Sequence, residues 1–145
     1  MSLFDKLQSN RKTKIDEEKA AGSAFLAENK KRENVIELPN GIQYEILQQG
    51  AGDKPDLRDK IKAHYAGRLL NGKEFDSSYR RNDPFTAPIL HLIKGWQEVL
   101  PMMPLNSKWR LWIPSDLAYG DNGAGANIPG GAVLDFEIEL LEIIK

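Results

Sequence analysis

The stretch Leu134-Asp135-Phe136-Glu137-Ile138-Glu139-Leu140 alternates apolar and acidic side chains with a period of two. A helix would scatter these residues around its circumference. A strand puts Leu134, Phe136, Ile138 and Leu140 on one face and Asp135, Glu137 and Glu139 on the other. The run therefore predicts a half-buried strand of an antiparallel sheet with one core face and one wet face. Upstream, Trp109, Leu111 and Ile113 share a face opposite Lys108 and Arg110, while Ile61, Ala63 and Tyr65, and Ile42, Tyr44 and Ile46, repeat the alternation. Asn71-Gly72 predicts a tight hairpin just before Phe75. One segment departs from this period: Ile93, Trp96, Leu100 and Met103 have helical spacing, which lays one short helix on the buried face.

The composition changes at the turn signal Leu38-Pro39-Asn40-Gly41. Residues 1–37 hold no proline and one glycine, and are rich in Lys, Glu and Ala. Good helix formers from Thr13 to Arg32, with Ala20, Ala24, Ala27 and Ala21, Phe25 at helical spacings, predict a helix there. Thr13 and Asp16 stand as a loose capping pair. With so few large apolar residues this helix either stays mostly solvated or docks on the rest of the chain or on another protein. The predicted class is α+β, an antiparallel β-sheet curled around one short α-helix and preceded by an N-terminal helix. The predicted division is a helical extension, 1–37, and a second domain, 38–145.

Much chemistry is excluded by composition. The 145 residues are 41% hydrophobic and 28% charged, with no cysteine, so disulfides, thiolate metal sites and a cysteine nucleophile are absent. Twenty basic against 21 acidic residues give a net charge of −1 and no electrostatic reason to expect nucleic acid or an anionic membrane as partner. His64 and His91 are far apart in sequence and do not by themselves make a metal site. Serines 77, 78, 107 and 115 lack a nucleophile-elbow context. Gly120-x4-Gly125 is followed by Ala126 and Asn127 where a phosphate loop needs Lys and Ser or Thr, and Gly123-Ala124-Gly125 lacks the third glycine of a dinucleotide fingerprint. Lys30-Lys31-Arg32 and Arg80-Arg81 read as solvated faces. Neither a signal peptide nor a spanning segment is apparent, so the expected location is cytoplasmic, or periplasmic or outer-surface if a leader has been removed. No cofactor and no metal are expected.

What remains is aromatic. The chain has 3 Trp, 4 Tyr and 5 Phe, and Tyr65, Phe75, Phe85, Trp96, Tyr119 and Phe136 sit beside turns or at element ends, with Asp76 and Arg81 nearby. Taken singly, core packing accounts for each. Several aromatics joined by a few placed polar groups are how a small-molecule or peptide pocket is built.

Five motifs then occur in order: His64-Tyr65-Ala66-Gly67-Arg68-Leu69, Gly72-Lys73-Glu74-Phe75-Asp76-Ser77-Ser78, Leu92-Ile93-Lys94-Gly95-Trp96, Ile113-Pro114-Ser115-Asp116-Leu117-Ala118-Tyr119-Gly120, and Ala132-Val133 through Leu141. Together they resemble the FKBP-type peptidyl-prolyl cis-trans isomerases. Gly22 to Asn29 followed by Leu38 to Tyr44 further resembles the bacterial branch that includes the macrophage infectivity potentiator, in which a helical extension precedes the catalytic domain and, when long, makes a homodimer.

The resemblance implies a peptidyl-prolyl isomerase acting on proline-containing, unfolded or flexible protein segments, without cofactor or metal, and so assisting folding. It implies a hydrophobic cleft between sheet and helix. The matching catalytic positions are Tyr65, Asp76, Ile93, Trp96, Tyr119 and Phe136, and the substrate-binding positions are Phe75, Arg81, Phe85, Leu92 and Ile128. Trp96 would form the floor, Tyr65, Phe75 and Phe136 the walls, and the Tyr119 hydroxyl and Ile93 N–H the donors to the substrate carbonyl, with Asp76 orienting Tyr65 and Arg81. Macrolide inhibitors are possible ligands, and the short extension implies a monomer or a weak homodimer through the N-terminal helix. Departures from the family pattern are the glycine-rich loop Ala124–Ala132, expected to make a looser flap, and His91, Ala87, Leu92 and the outward-facing Asp135. The competing expectations are a non-catalytic peptide-binding or chaperone module using the same cleft, and a β-barrel binding a small apolar ligand. The intact set Tyr65, Asp76, Trp96, Tyr119 and Phe136 favours catalysis.

Overall fold

A computed structural model describes residues 2–145. Helix α1 runs Leu3–Asn29, and the strands are β1 (Val35–Glu37), β2 (Gln43–Gln48), β3 (Lys60–Leu69), β4 (Glu74–Ser77), β5 (Phe85–Pro88), β6 (Lys108–Ile113) and β7 (Leu134–Ile144). Between β4 and β5 lies the single turn α2 (Ser78–Arg81), and between β5 and β6 lies α3 (Lys94–Val99), extended by a 3-10 turn over Leu100–Met102. Among the described residues the strands form one antiparallel sheet in the order β1-β2-β6-β7-β3-β4, with β5 pairing β3 beside β4.

The predicted alternation of β7 is realised. Leu134, Phe136, Ile138 and Leu140 are all buried, and they meet Ile61, Ala63, Leu111 and Ile113 from neighbouring strands. The helical spacing of Ile93 to Met103 is realised as α3 and its 3-10 extension, which bring Trp96, Val99, Leu100 and Met103 into that core. The hairpin at Asn71-Gly72 also forms: Gly72 N–H donates to Leu69 O at 2.9 Å, and Leu69 N–H to Lys73 O at 2.9 Å.

Two expectations are corrected. The helix starts ten residues earlier than Thr13, because Ser2 caps it by accepting from Asp5 N–H, and it ends at Asn29; Thr13 instead bonds back to Ser9 O within the helix. More consequentially, the second sheet face is not uniformly wet. Helix α1 lies across it, and Trp112, on the face of Lys108 and Arg110, is fully buried with Val35 and Val133 against Phe25 and Leu26. Asp135, expected to face outward, is 5% exposed. Arg110 compensates it through two bonds, 3.0 Å from Nε and 2.6 Å from Nη2, as a buried carboxylate requires. The same ion pair holds the Arg110 guanidinium above its usual pKa.

The docked face of α1 differs from the alanine stripe in the sequence. Ala20, Ala24 and Ala27 are exposed, whereas Ile15, Gly22, Leu26 and Asn29 turn inward. Gly22 makes the approach possible, since a Cβ there would lie 2.6 Å from Val133 Cγ2. Farther along, the buried Asn29 and Gln43 side chains bond to each other, and Gln43 Nε2 also donates to Leu26 O at 2.9 Å. The helix joins the sheet through a glycine and two amides as much as through apolar area.

Candidate active site

The cleft opens where β3, β4 and β7 curl over the N-terminal end of α3. Its floor is Trp96, which is 5% exposed. Around that floor the rings pack edge to face: Trp96 with Phe136 at 5.2 Å, Trp96 with Tyr65 at 5.4 Å, Phe75 with Phe136 at 5.7 Å and Tyr65 with Phe85 at 5.3 Å. Each such pair contributes about 0.5–1.5 kcal/mol beyond its buried area, so the walls are preorganised. Room for two of the rings comes from Gly67, paired with Phe136 across β3 and β7; a Cβ there would stand 2.5 Å from Phe75 Cζ and 2.8 Å from a Phe136 ring carbon.

Nine of the eleven residues singled out in the sequence line this cleft: Tyr65, Phe75, Asp76, Phe85, Leu92, Ile93, Trp96, Tyr119 and Phe136. Its volume is about 220 Å³. That is below the ~300–1,000 Å³ of pockets for drug-sized ligands, and suits a single ring or side chain. Arg81 sits at the rim and reaches in only through its partners. Ile128 is buried in the main core, held by paired backbone bonds with Ala124 of 2.9 and 3.2 Å, and does not line the cleft.

One wall is polar. The Tyr65 hydroxyl donates to Asp76 Oδ2, Arg81 Nη1 donates to Asp76 Oδ1, and Arg81 Nη2 lies 3.4 Å from the Tyr65 hydroxyl. The guanidinium also lies over the Tyr65 ring, 5.8 Å from its centroid. Burial alone would raise the Asp76 pKa, but the bonds from Tyr65 and Arg81 outweigh it and hold the carboxyl below its ordinary value. Burial, reinforced by the Asp76 carboxylate, pushes the Tyr65 phenol up, so it stays a donor. On the opposite side, the Tyr119 hydroxyl and the Ile93 N–H make no hydrogen bond to the chain among the described residues. Both are free to donate to a guest.

Two supporting residues were not among the site positions singled out in the sequence, although Ser78 closes the second of the five motifs. Ser78, fully buried, accepts from Tyr65 N–H at 2.7 Å, lies 3.2 Å from Tyr65 O and 2.8 Å from His64 Nδ1. It takes over where β4 leaves β3 and α2 begins, so the backbone behind Tyr65 is held by a hydroxyl in place of a strand. Gln97 of α3 donates to Leu92 O at 2.8 Å and so ties down the segment carrying Leu92 and Ile93.

An aromatic-floored cleft with two unclaimed donors and a tyrosine–aspartate–arginine wall is accompanied by a match of residues 52–141 to the FKBP-type peptidyl-prolyl cis-trans isomerases. The chain belongs to that family. Residues 1–46 match the domain amino-terminal to FKBP-type peptidyl-prolyl isomerase. Over 142 residues the chain is 42% identical to the FKBP-type 22 kDa peptidyl-prolyl cis-trans isomerase of Escherichia coli (strain K12), covering 98% of this chain and 69% of that protein. It is 38% identical over 143 residues to the outer membrane protein MIP of Legionella longbeachae, covering 99% of this chain and 61% of that protein. The crystal structure of FkpA from Escherichia coli superposes with a TM-score of 0.90 at 32% identity, covering 94% of this chain and 64% of that one. The chain thus spans roughly six to seven tenths of these FKBP-type proteins. Their names include an outer-membrane one, so membership of this family does not carry the expected cytoplasmic location with it. Among the described residues, no helix is long and apolar enough to cross a membrane.

Proposed function

We propose that this chain accelerates rotation about Xaa-Pro bonds in flexible protein segments, with the proline ring seated on Trp96. The observation that carries this reading is the pairing of an apolar aromatic floor with two unclaimed donors, the Tyr119 hydroxyl and the Ile93 N–H. Rotation about a prolyl amide must break its partial double bond, against a barrier of ~18–20 kcal/mol, and takes tens to hundreds of seconds unaided. At the twisted midpoint the amide has lost conjugation and much of its dipole. Water favours the planar, polar ground state, whereas an apolar cleft favours the twisted form, and that difference is the catalysis.

The residues then divide the work. Trp96, Phe75, Phe136 and Phe85 exclude water from the ring, and Leu92 with Ile93 flanks the residue before proline. The donors hold the carbonyl of that residue while the C–N bond turns. Asp76, kept ionised by Tyr65 and Arg81, orients the Tyr65 wall and sets a negative field beside the carbonyl carbon without accepting a proton. Arg81 acts through Asp76, and Ile128 supports the loop after Tyr119 from within the core. No nucleophile, metal or cofactor is required by this path.

The isomerase is assigned to residues 38–145 and an accessory role to the extension 1–37. Leu3, Phe4 and Leu7 near the start of α1 are exposed, which supports a weak homodimer through that helix; light scattering across a concentration series tests it. The same cleft is the place where a macrolide inhibitor would compete with substrate. Fractionation of cells tests the compartment. NMR exchange on a peptide with one Xaa-Pro bond tests the activity: the parent chain speeds exchange, and Trp96→Leu, Asp76→Leu and Tyr119→Phe slow it. A folded parent that leaves exchange unchanged sinks the enzyme and leaves the non-catalytic peptide-binding alternative.

A further inference from the structure

Tyr119 opens a glycine-rich loop whose return limb ends at Gly131. Gly120, Gly123, Gly125 and Gly131 all have positive φ, between +58° and +82°. Such a chain loses much conformational entropy when ordered, so a fixed Tyr119 needs contacts from outside the loop. Within it, Gly123 N–H donates to Tyr119 O at 3.2 Å and Gly131 N–H to Gly120 O at 2.9 Å, which ties the two limbs at their base.

Helix α1 grips that base. Lys19 Nζ lies 2.7 Å from Asp121 Oδ1, and Arg11 Nη2 donates to Asn122 Oδ1 at 3.0 Å. Ile15 and Lys19 close over Gly130 and Gly131 so tightly that a Cβ at Gly131 would stand 2.8 Å from Ile15 O and 3.0 Å from Lys19 Cγ. Arg11, Ile15, Lys19, Gly22, Leu26 and Asn29 recur at helical spacing, so the half of α1 that holds the loop lies on the same face as the half docked on Trp112 and Gln43. One rigid helix therefore joins the back of the sheet to the loop that presents Tyr119.

We propose that α1 is a brace for the active-site loop, with Ile15 and Lys19 as positioning residues that hold Tyr119 over the cleft. This rests on the assignment of Tyr119 as a donor. An interaction made chiefly in the transition state is lost from kcat more than from KM when its donor is allowed to wander.

The test uses the full chain. Ile15→Ala with Lys19→Glu removes the apolar contact and turns the Asp121 pair repulsive, while the Gly22–Val133 and Asn29–Gln43 contacts keep the helix docked. Amide exchange at Gly123 and Gly131 is expected to quicken by about 3–10-fold, and kcat on an Xaa-Pro peptide to fall by about 3–10-fold with KM changed by less than about twofold. In a Tyr119→Phe background the same pair of changes should cost no further activity, the non-additivity expected of residues acting through one group. Lys19→Asp with Asp121→Lys should recover exchange protection and kcat relative to Lys19→Glu alone. If Tyr119→Phe slows kcat but the Ile15/Lys19 variant does not, or if that variant costs as much without the Tyr119 hydroxyl, the donor stands and the brace falls. If Tyr119→Phe alone leaves kcat unchanged, the donor assignment fails and the brace as a catalytic device fails with it.

Discussion

The Asn29 side-chain amide donates to Gln43 Oε1 at 2.8 Å, both groups buried between α1 and the sheet. Gln43 Nε2 in turn donates to Leu26 O and to Glu37 Oε2 at 3.1 Å, and Asn29 Oδ1 accepts from Arg32 at 3.0 Å. Gln43→Leu strands the Asn29 amide and leaves Leu26 O with only the Lys30 N–H, which it accepts at 3.1 Å; the change should cost about 1–3 kcal/mol in a urea titration. Replacing Asn29 and Gln43 together by apolar residues of similar shape should cost less than Gln43→Leu alone, which sets the closed amide pair apart from a loss of packing volume.

Gly22 decides whether the helix lies flat. A larger residue gains about 1 kcal/mol of helix propensity, yet its Cβ meets the stiff Val133 side chain. Overpacking of that kind costs about 1–3 kcal/mol. Gly22→Leu is therefore expected to lower the Tm and to redden Trp emission as Trp112 loses its cover. A variant whose emission and Tm match the parent would show that the helix does not depend on this approach.

The Arg110–Asp135 pair should respond asymmetrically. Asp135 is the more buried partner, its side chain 8% exposed against 35% for Arg110. Arg110→Met leaves a buried carboxylate without its cation and should cost about 3–5 kcal/mol. Asp135→Leu leaves a guanidinium that can turn to solvent and should cost less. Equal losses in paired denaturation curves would contradict this order.

Removing the Tyr119 hydroxyl is expected to take away the one neutral hydrogen bond proposed for it to the turning amide, worth about 0.5–1.5 kcal/mol, or about 2–13-fold in kcat/KM. Trp96→Leu should cost more in both activity and stability, because the indole touches Tyr65, Phe85 and Phe136 at once. Line-shape or exchange NMR measures the first effect, and a thermal melt separates the second.

Acid behaviour follows from Asp76. Its folded pKa lies below the ordinary 3.8, so the stabilisation from its bonds to Tyr65 and Arg81 is complete above that value and is lost as the pH falls through the lower, folded one. Isomerase activity should accordingly show no step from this carboxylate across roughly pH 5–8, a window that lies above the ordinary aspartate value. Asp76→Asn should flatten the part of the acid unfolding curve that lies below the ordinary aspartate pKa. An activity step near neutrality that vanishes in Asp76→Asn would contradict the assignment of a permanently ionised carboxylate.

The period-two pattern of residues 134–140 and the helical spacing of Ile93 to Met103 were legible because each depends on local backbone geometry and on burial of one face. The cleft was legible through motifs in family order, which named nine of its lining residues. Ser78 was not: a hydroxyl that replaces a missing strand behind Tyr65 looks in sequence like any turn serine. Trp112 beside Lys108 and Arg110 was the one local hint that the second sheet face is covered.

By itself, the sequence determined the α+β class, the antiparallel sheet around a short helix, the aromatic floor and the family, since all of these are written in short-range periodicity and in linear motifs. Only the tertiary structure decided that α1 covers Trp112, that its inward face runs through Ile15, Gly22 and Asn29, and that Asp135 is buried against Arg110. Those outcomes depend on shape and hydrogen-bond complementarity between surfaces brought together across the chain, from Asn29 and Gln43, 14 residues apart, and Arg110 and Asp135, 25 apart, to Gly22 and Val133, which are separated by most of the chain. A stripe of isoleucine, lysine, glycine and asparagine has no hydrophobic period to announce it; it becomes a docking face only when a partner surface is there to fit it.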